Sequence, residues 1–422
     1  MFLRRTFIGA FGAVLAAPTL AQQFRVEISG VGATQLPIAI ARFRGEDPGS
    51  QALSAIVRAD LERSGVFKGI DTTVMLDEAA SPAMADWRSQ AVDALVGGSV
   101  TKLADGRFDV RFKLWDVVKG QEIGGQASAV MLGDLRLAAH RIADYVYEKL
   151  TGDKGVFSTR IAYVTKSGPR YALRVADADG EGGQVALNSP EPIISPSWSP
   201  DGRELAYVSF EGRKAAVWAQ NVSTGQRRSI ANFKGSNSAP AWSPNGQMLA
   251  ATLTRDGVSQ VYVMGRNGEN PRRLTSSQAI DTEATFSPDG SQIYFVSDRG
   301  GSPQIYRIAV AGGNPERVTF TGNYNISPSL SPDGRLLAYI SRQGGAFKVY
   351  VMDLSGGSAQ GITDTSDDES PSFAPNGKLL LYSTRAQGRE VLMTSTLDGK
   401  IKASLVSTSA EVREPAWGPF GR

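Results

Sequence analysis

One short sequence recurs six times from residue 196 onward, and every copy ends in glycine. The first copy reads Pro-Ser-Trp-Ser-Pro-Asp-Gly, and the final glycines are residues 202, 246, 290, 334, 377 and 421. The successive spacings are therefore 44, 44, 44, 43 and 44 residues. A fixed period of this length is typical of a repeat architecture in which each period forms one structural unit.

Each unit has the pattern of four short β-strands. A strand with an aromatic residue or leucine leads into a Pro-Asp-Gly or Pro-Asn-Gly turn, because Asp and Asn tolerate positive φ before glycine. An apolar strand follows, as at 205–208, then a third strand, as at 260–264, and a fourth, as at 273–275. Four strands per period predict the blade of a β-propeller and exclude a helical solenoid, whose apolar residues would recur every 3.6 positions.

The register of the repeats predicts how the ring closes. Residues 161–187 supply a second, third and fourth strand with no first strand before them, whereas the sixth copy supplies a first strand alone. Together these segments make one whole blade, so residues near 410–420 should pair beside the 160s and leave no open sheet edge. The sequence therefore predicts a six-bladed β-propeller over residues 156–422.

Residues 35–152 have a different pattern. Apolar residues recur at helical spacing over 50–64 and again over about 133–150, and residues 108–114 alternate apolar and polar side chains as a half-buried strand does. Helices interspersed with strands over this length predict a small α/β (α+β) domain before the propeller. The chain is therefore mostly β, with the domain boundary expected at 152–155.

The first 21 residues predict a signal peptide. Arg4 and Arg5 precede an apolar run from Phe7 to Ala17, and small residues follow at the two positions that signal peptidase reads. The run is too short for a permanent span, which needs roughly 20 residues, so we expect no transmembrane span in the mature protein. Two export routes, general and twin-arginine, stay open, and an uncleaved anchor is the alternative.

Composition argues against several classes of function. The chain has no cysteine and one histidine, His140, which lies in a predicted helix and is interpreted as a structural or surface residue. The sequence has no Gly-x-Ser-x-Gly elbow and no zinc-ligand spacing. Removing the signal peptide lowers the formal net charge from +3 to +1, which gives no electrostatic basis for binding nucleic acid. We predict no catalytic residue, no metal and no cofactor.

Two acidic stretches have alternative interpretations. Asp177-x-Asp179-Gly180 resembles the start of a calcium loop but lacks the later glutamate, which favours a turn between blade strands. The run from Asp364 to Glu369 is interpreted as a loop that is either solvated or in contact with a partner, because the loops at one end of a propeller form its usual binding face.

Along nearly its whole length the sequence resembles the TolB family of periplasmic propeller proteins. The resemblance rests on the six heptads and on residues 148–152, 160–164 and 261–264. It implies a monomeric, non-enzymatic component of the Tol-Pal system that supports outer-membrane integrity and constriction during cell division. The implied partners are the lipoprotein Pal, the C-terminal domain of TolA, and other envelope proteins.

The resemblance also implies which residues meet these partners. Residues 22–34 would bind TolA, and the alternation of apolar side chains suits addition as a strand to a partner sheet, or else an ordinary first strand of the α/β domain. The residues in question are Gln23, Phe24, Arg25, Val26, Glu27 and Ile28. The Pal-binding face would comprise Ser236, Asn237, Ala239, Asp281, Thr282, Glu283, Asn325 and Glu369. This sequence departs from the family at Ser236, where relatives carry histidine, and Ala284 replaces the proline of the other repeats.

Two other functions stay open from sequence. The first is a periplasmic propeller enzyme that acts on saccharide or peptide with a pair of channel carboxylates. The second is a scaffold for assembly of outer-membrane proteins, which would capture assembly components instead of Pal.

Overall fold

The computed structural model describes residues 35–47, 52–386, 388–405 and 410–421. The predicted signal peptide, 1–21, and the predicted TolA-binding segment, 22–34, lie outside these ranges. The described chain forms a small α/β domain followed by a six-bladed β-propeller, which confirms the fold class predicted from the repeats.

The α/β domain contains a five-stranded sheet with the order β2-β1-β3-β4-β5. β1 runs parallel to β2 and β3, and β3, β4 and β5 are antiparallel. Its elements are β1 Leu36–Ile40, α1 Leu53–Arg63, β2 Phe67–Ile70, α2 Met84–Ser89, β3 Ala94–Lys102, β4 Phe108–Asp116, β5 Gln121–Val130, a 3-10 turn Leu132–Asp134 and α3 Leu135–Thr151. The apolar faces of α1 and α3 pack with the sheet into one core.

The helix α3 ends where the sequence predicts the domain boundary. Gly152 follows it with a left-handed φ of 81° and donates its N–H to the carbonyl of Glu148 at 2.8 Å. Only glycine adopts this conformation without a steric penalty, and it terminates helices for that reason. The next strand begins eight residues later, at Arg160.

The propeller has six four-stranded sheets. Blade 1 contains β6 Arg160–Ser167, β7 Arg170–Asp177 and β8 Gln184–Ser189, and blade 2 contains β9 Ile193–Trp198, β10 Glu204–Ser209, β11 Ala216–Asn221 and β12 Arg227–Ala231. Blade 3 contains β13 Asn237–Trp242, β14 Met248–Leu253, β15 Gln260–Gly265 and β16 Arg272–Arg273, and blade 4 contains β17 Asp281–Phe286, β18 Gln292–Ser297, β19 Gln304–Ala309 and β20 Glu316–Arg317. Blade 5 contains β21 Asn325–Leu330, β22 Leu336–Gln343, β23 Ala346–Asp353 and β24 Ala359–Gly361, and blade 6 contains β25 Glu369–Phe373, β26 Leu379–Ala386, β27 Arg389–Thr396 and β28 Lys402–Ser404.

The last strand, β29 Glu411–Trp417, completes blade 1. It pairs antiparallel with β6, so that Glu411 lies opposite Lys166 and Trp417 opposite Ile161. The indole Nε1 of Trp417 also donates to the hydroxyl of Thr159 at 2.8 Å. β29 thus closes the ring beside β6, in the blade that the repeat register indicates.

The turn of the heptad explains why its residues recur. In the first copy, Asp201 accepts hydrogen bonds from the hydroxyl of Ser199 at 2.6 Å and from the N–H of Arg203 at 3.1 Å. Gly202 has a φ of 66°, and a β-carbon there would lie 3.3 Å from the ring of Pro419 in blade 1. The turn therefore needs glycine both for its backbone and for close contact with the proline of the neighbouring blade.

Candidate partner-binding face

The first strand of every blade has an extra residue, a β-bulge, beside the central channel. In blade 4, Thr282 pairs with Val296 and Thr285 with Tyr294, so two residues oppose Phe295 alone. The first bulged residue has a left-handed φ between 48° and 54° in all six blades; these residues are Ser195, Ala239, Glu283, Ser327, Ser370 and Glu414. Left-handed residues other than glycine are strained and concentrate at functional sites.

Proline follows the left-handed residue in five of the six blades. These prolines are Pro196, Pro240, Pro328, Pro371 and Pro415, and blade 4 has Ala284 in their place. A bulge takes one residue out of the hydrogen-bonded ladder. Because proline has no N–H, it leaves no donor without a partner at that point. This is the physical reason for the proline that begins most copies of the heptad.

The six bulges surround a central cavity of about 1160 Å³. Its walls also include Lys166, Tyr171, Phe347 and Arg385, which lie where second strands end and third strands begin. Consecutive strands of a blade are antiparallel, so these positions lie at the same end of the ring as the connections between blades. We call this end the rim, and the heptad turns lie at the opposite end.

Four glutamates line the cavity, and burial or neighbouring charge raises the pKa of three of them, Glu283, Glu369 and Glu414; the fourth is Glu390. Burial, together with the charges of Glu369 and Glu283, raises the pKa of Glu414 to about 7. Burial also raises the pKa of Glu283, and the pKa of Glu369 is raised by burial and by the neighbouring carboxylate of Glu390 despite the opposing charge of Arg413. The channel is therefore an acidic site whose charge changes near neutral pH.

Two of these carboxylates bridge neighbouring blades. Glu283 accepts a hydrogen bond from the main-chain N–H of Ser327 at 2.6 Å and another from its hydroxyl at 3.2 Å. Glu414 accepts one from the N–H of Ser195 at 3.3 Å. In both cases the acceptor and the donor are the left-handed residues of consecutive blades, so the bridges join blade 4 to blade 5 and blade 1 to blade 2 beside the channel.

Four of the eight residues predicted to face Pal line the cavity at the rim. They are Ala239, Thr282, Glu283 and Glu369. The first three are half-buried and the last is exposed. Ser236 is also exposed, in the loop that leads into blade 3, and its N–H donates to the hydroxyl of Thr254 at 2.7 Å. These five residues are accessible to a partner.

The other three predicted residues, Asn237, Asp281 and Asn325, have no exposed surface. The amide of Asn237 donates to the carbonyls of Ala215, Phe233 and Gly235 at 3.0–3.2 Å, so it holds its own loop in place. A partner cannot reach these side chains in this structure. In this structure the three side chains support the rim, and their direct contact with Pal stays a prediction.

The other two buried residues support the rim in the same way. Asp281 accepts two hydrogen bonds of 2.9 Å from one nitrogen of Arg299. The amide of Asn325 donates to the side chain of Gln304 at 2.8 Å and to the carbonyl of Thr321 at 2.9 Å. Each of these residues is the first of its blade's first strand. Asn325 fixes the loop that precedes the strand, and Asp281 holds the β18–β19 loop through Arg299 and the preceding loop through the hydroxyl of Ser277, at 3.2 Å.

Sequence reasoning missed three apolar residues at the rim. Phe320 is 74% exposed and Ile280 is 51% exposed, and both lie in loops that lead into first strands. Tyr324 lines the cavity and packs edge-on against Phe347, with ring centroids 5.9 Å apart. These residues lie in the same loops of the repeat as the predicted polar residues, and that position could have identified them from the sequence.

Comparison with known proteins decides the family. Residues 147–421 match the TolB beta propeller domain and residues 24–123 match the TolB amino-terminal domain. The chain belongs to the TolB family. The Tol-Pal system protein TolB of Albidiferax ferrireducens is 70% identical over 421 residues, which cover 100% of this chain and 99% of that relative. The TolB of Polaromonas naphthalenivorans is 69% identical over 423 residues and covers the same shares.

A solved TolB structure has the same architecture. The crystal structure of TolB from Acinetobacter baumannii matches with a TM-score of 0.85 and 40% identity, over 92% of this chain and 97% of that one. The family resemblance drawn from the sequence is thus confirmed. Within the residues that the structure describes, no helix is both long and apolar enough to cross a membrane.

Proposed function

We propose that this TolB-family protein is a non-enzymatic periplasmic adaptor of the Tol-Pal system. It binds Pal through the rim of the propeller and the C-terminal domain of TolA through residues 22–34, and so supports outer-membrane integrity and constriction during division. The observation that carries the proposal is 70% identity over the full chain to a relative named Tol-Pal system protein TolB.

The geometry of the rim supports a protein partner there. Propellers commonly bind through loops at one end of the ring. This end has an open acidic cavity, exposed aromatic and aliphatic side chains at Phe320 and Ile280, and loops fixed from inside by Asn237 and Asp281. Apolar anchors on a rigid scaffold with polar neighbours are the composition expected of a protein interface.

The contacts we propose for Pal are the accessible ones. Ser236, Ala239, Thr282, Glu283 and Glu369 form the contact surface, while Asn237, Asp281 and Asn325 support it from below. Calorimetric titration of the mature protein with the soluble domain of Pal from the same organism tests this proposal. Saturable one-to-one binding is expected.

The TolA site is proposed for residues 22–34, where Phe24, Val26 and Ile28 alternate with polar residues. Such a segment can add to a partner sheet as an extra strand, with main-chain hydrogen bonds for affinity and alternate side chains for specificity. A variant that begins at residue 35 should lose TolA binding and keep Pal binding. Retained TolA binding in this variant would place the TolA contact within the folded domains.

We also propose that the two sites are coupled. Pal at the rim would change whether residues 22–34 are free to bind TolA, an order-to-disorder switch. Because coupling free energies are reciprocal, TolA must change the affinity for Pal by the same factor. Identical TolA isotherms with and without saturating Pal would rule out this switch.

The enzyme alternative has one observation in its favour. Glu283, Glu369 and Glu414 line one cavity, and the pKa of Glu414 is raised to about 7, which suits a general acid or base. Two of these carboxylates, however, accept hydrogen bonds from the main chain of the next blade. Turnover of cell-wall saccharides and peptides that disappears in Glu414→Gln would support the enzyme; we expect no turnover in either protein.

A further inference from the structure

The one histidine of the sequence lies where the α/β domain meets the propeller. His140, on α3, is fully buried, and its Nδ1 lies 2.6 Å from a carboxylate oxygen of Asp60 on α1. Its Nε2 faces the propeller, 3.7 Å from carboxylate oxygens of Asp177 and Asp179, at the end of β7 and in the turn that follows. The imidazole ring therefore lies between a carboxylate of its own domain and two of the other.

Two arginines complete the cluster. Arg136, one turn before His140 on α3, lies 3.4 Å from Asp177 and 2.6 Å from Asp179. Arg63, at the end of α1, forms an ion pair of 2.8 Å with Asp60. Three carboxylates and two guanidiniums leave one negative charge. The cluster is neutral only when His140 carries a proton on both ring nitrogens, and buried charges are stable only when they are balanced.

Two further titratable groups lie near the imidazole of His140, and neither of them removes the need for its positive charge. The carboxylate of Asp144, one turn after His140, accepts hydrogen bonds from the N–H groups of Phe157 and Ser158, and burial raises its pKa. Arg160, at the start of β6, is an exposed residue, and partial desolvation lowers the pKa of its guanidinium against the opposing charge of Asp177. For His140 itself burial lowers the pKa, but the Asp177 carboxylate 3.7 Å from Nε2 and the hydrogen bond between Nδ1 and Asp60 outweigh burial and raise the pKa to about 9.

We propose that His140 is positively charged at neutral pH and links the two domains electrostatically, and that removal of its charge loosens the α/β domain from the propeller. The other contacts near this boundary include Gly65, close to Thr396 and Ile401 of the β27–β28 turn, and an exposed ion pair of 3.1 Å between Asp153, just after α3, and Lys378. The ionic cluster around His140 should weaken when a charge is removed from it, whereas an apolar contact between the domains would not. This proposal does not depend on Pal or TolA.

A metal ion is the competing occupant. Asp60, His140 and Asp179 have ligand atoms within 4.8 Å of one another, close enough to hold one. A carboxylate on Nδ1 is also the usual partner of a metal-bound histidine. Arg136, however, binds the same oxygens of Asp177 and Asp179 that a metal would need. A divalent ion would leave the cluster with a net positive charge, whereas a proton balances it.

Nitrogen-15 NMR of the imidazole tests the charge directly. The single histidine makes its resonances unambiguous in an untagged protein. At pH 7.5 both ring nitrogens should be protonated, and the ring should lose its proton only near pH 9. A neutral ring with one protonated nitrogen at pH 7.5 would overturn the proposal. So would one equivalent of Zn²⁺ bound through Nε2, or a spectrum that changes to the neutral form with EDTA.

The absence of cysteine permits a second test of how the domains are held. Spin labels at Lys102→Cys in the α/β domain and Thr224→Cys in blade 2, both exposed sites, report the interdomain distance by pulsed electron resonance. The distribution should be narrow in the parent and broaden in His140→Gln, in Asp179→Asn and in the parent above pH 9. Arg307→Gln, which removes the exposed Arg307–Glu316 ion pair, is the matched control and should stay narrow. Unchanged distributions in the parent at pH 7 and pH 10 would contradict the proposal without relying on any substitution.

Discussion

Glu414 and Ser195 occupy equivalent positions in adjacent blades, and the carboxylate of Glu414 accepts a hydrogen bond from the main-chain N–H of Ser195, 219 residues earlier in the chain. Both residues have left-handed backbones beside the channel. The same relationship joins Glu283 to Ser327. The carboxylates of the channel therefore hold the ring together at the place where a partner would enter it.

The raised pKa of Glu414 predicts how the ring responds to pH. The folded pKa, about 7, lies above the ordinary value of 4.5, so the folded state binds more protons between these limits and stability falls as pH rises through them. Glu414→Gln keeps an acceptor for Ser195 without the charge. At pH 8 it should be more stable than the parent by about 1 kcal/mol or more, and at pH 4 no more stable. Urea unfolding at both pH values measures the difference; equal differences would contradict it.

Because His140 is charged in the folded protein, we expect the stability of the protein to fall at alkaline pH. Its folded pKa is raised to about 9 from 6.5, so its contribution is complete below pH 6.5 and is lost as pH rises toward 9. Over that pH range the free energy of unfolding of the parent should fall by about 2 kcal/mol more than that of His140→Gln. The pKa of Asp177 is lowered although burial opposes this, so its contribution is lost instead as pH falls below 4. Thermal unfolding of both proteins from pH 3 to pH 10 checks these opposite limits.

Closure by β29 predicts a large effect at Trp417. This side chain is buried between blade 1 and blade 6, where its main-chain N–H donates to the hydroxyl of Ser372 at 2.9 Å. Trp417→Ala should lower the free energy of unfolding by about 3–5 kcal/mol, because it empties a buried aromatic site at the seam. Trp218→Ala, at a half-buried tryptophan away from the seam, is the control and should lower it less. Similar losses in both variants would show that the seam has no special role.

Because some rim residues are buried, we expect their substitution to lower the stability of the protein and not only its affinity for Pal. Asn237→Ala leaves the N–H of Phe233 without its acceptor and the carbonyl of Gly235 without its donor. The carbonyls of Ala215 and Phe233 each keep one other donor. The free energy of unfolding should fall by about 1–3 kcal/mol. Ser236→Ala, next to it but exposed, should change stability by less than about 0.5 kcal/mol. A fully stable Asn237→Ala variant would return this residue to the contact surface.

The sequence predicted the ring because its period, turns and incomplete end blades are local patterns that repeat. The bulges could not be predicted: Ser195, Ala239 and Glu283 are not residue types that usually adopt left-handed backbones, and only pairing with the second strand reveals the extra residue. The family resemblance assigns polar residues before the first strands, such as Asn237, to the contact surface, and the sequence does not show that they are buried. Their burial depends on carbonyls of the preceding blade.

The cluster at His140 could not be found from sequence for a different reason. Its partners come from three separate regions, with Asp60 lying 80 residues before the histidine and the two aspartates in the propeller. Asp177-x-Asp179-Gly180 was interpreted as a turn, which the structure confirms, since Gly180 donates its N–H to the carbonyl of Asp177 at 2.8 Å. That this turn contacts the other domain is a property of the tertiary fold alone.

The most direct test of the proposed function is calorimetric titration with the soluble domain of Pal from the same organism, comparing two matched variants. Thr282→Arg places a bulky charge on the channel wall at the rim, and Thr224→Arg places the same side chain in an exposed turn at the opposite end of the ring. One-to-one binding in the parent, retained in Thr224→Arg and weakened at least tenfold in a folded Thr282→Arg, is the predicted result. Absence of binding in the parent across several salt concentrations, or equal affinity in both variants, would contradict recognition of Pal by the rim.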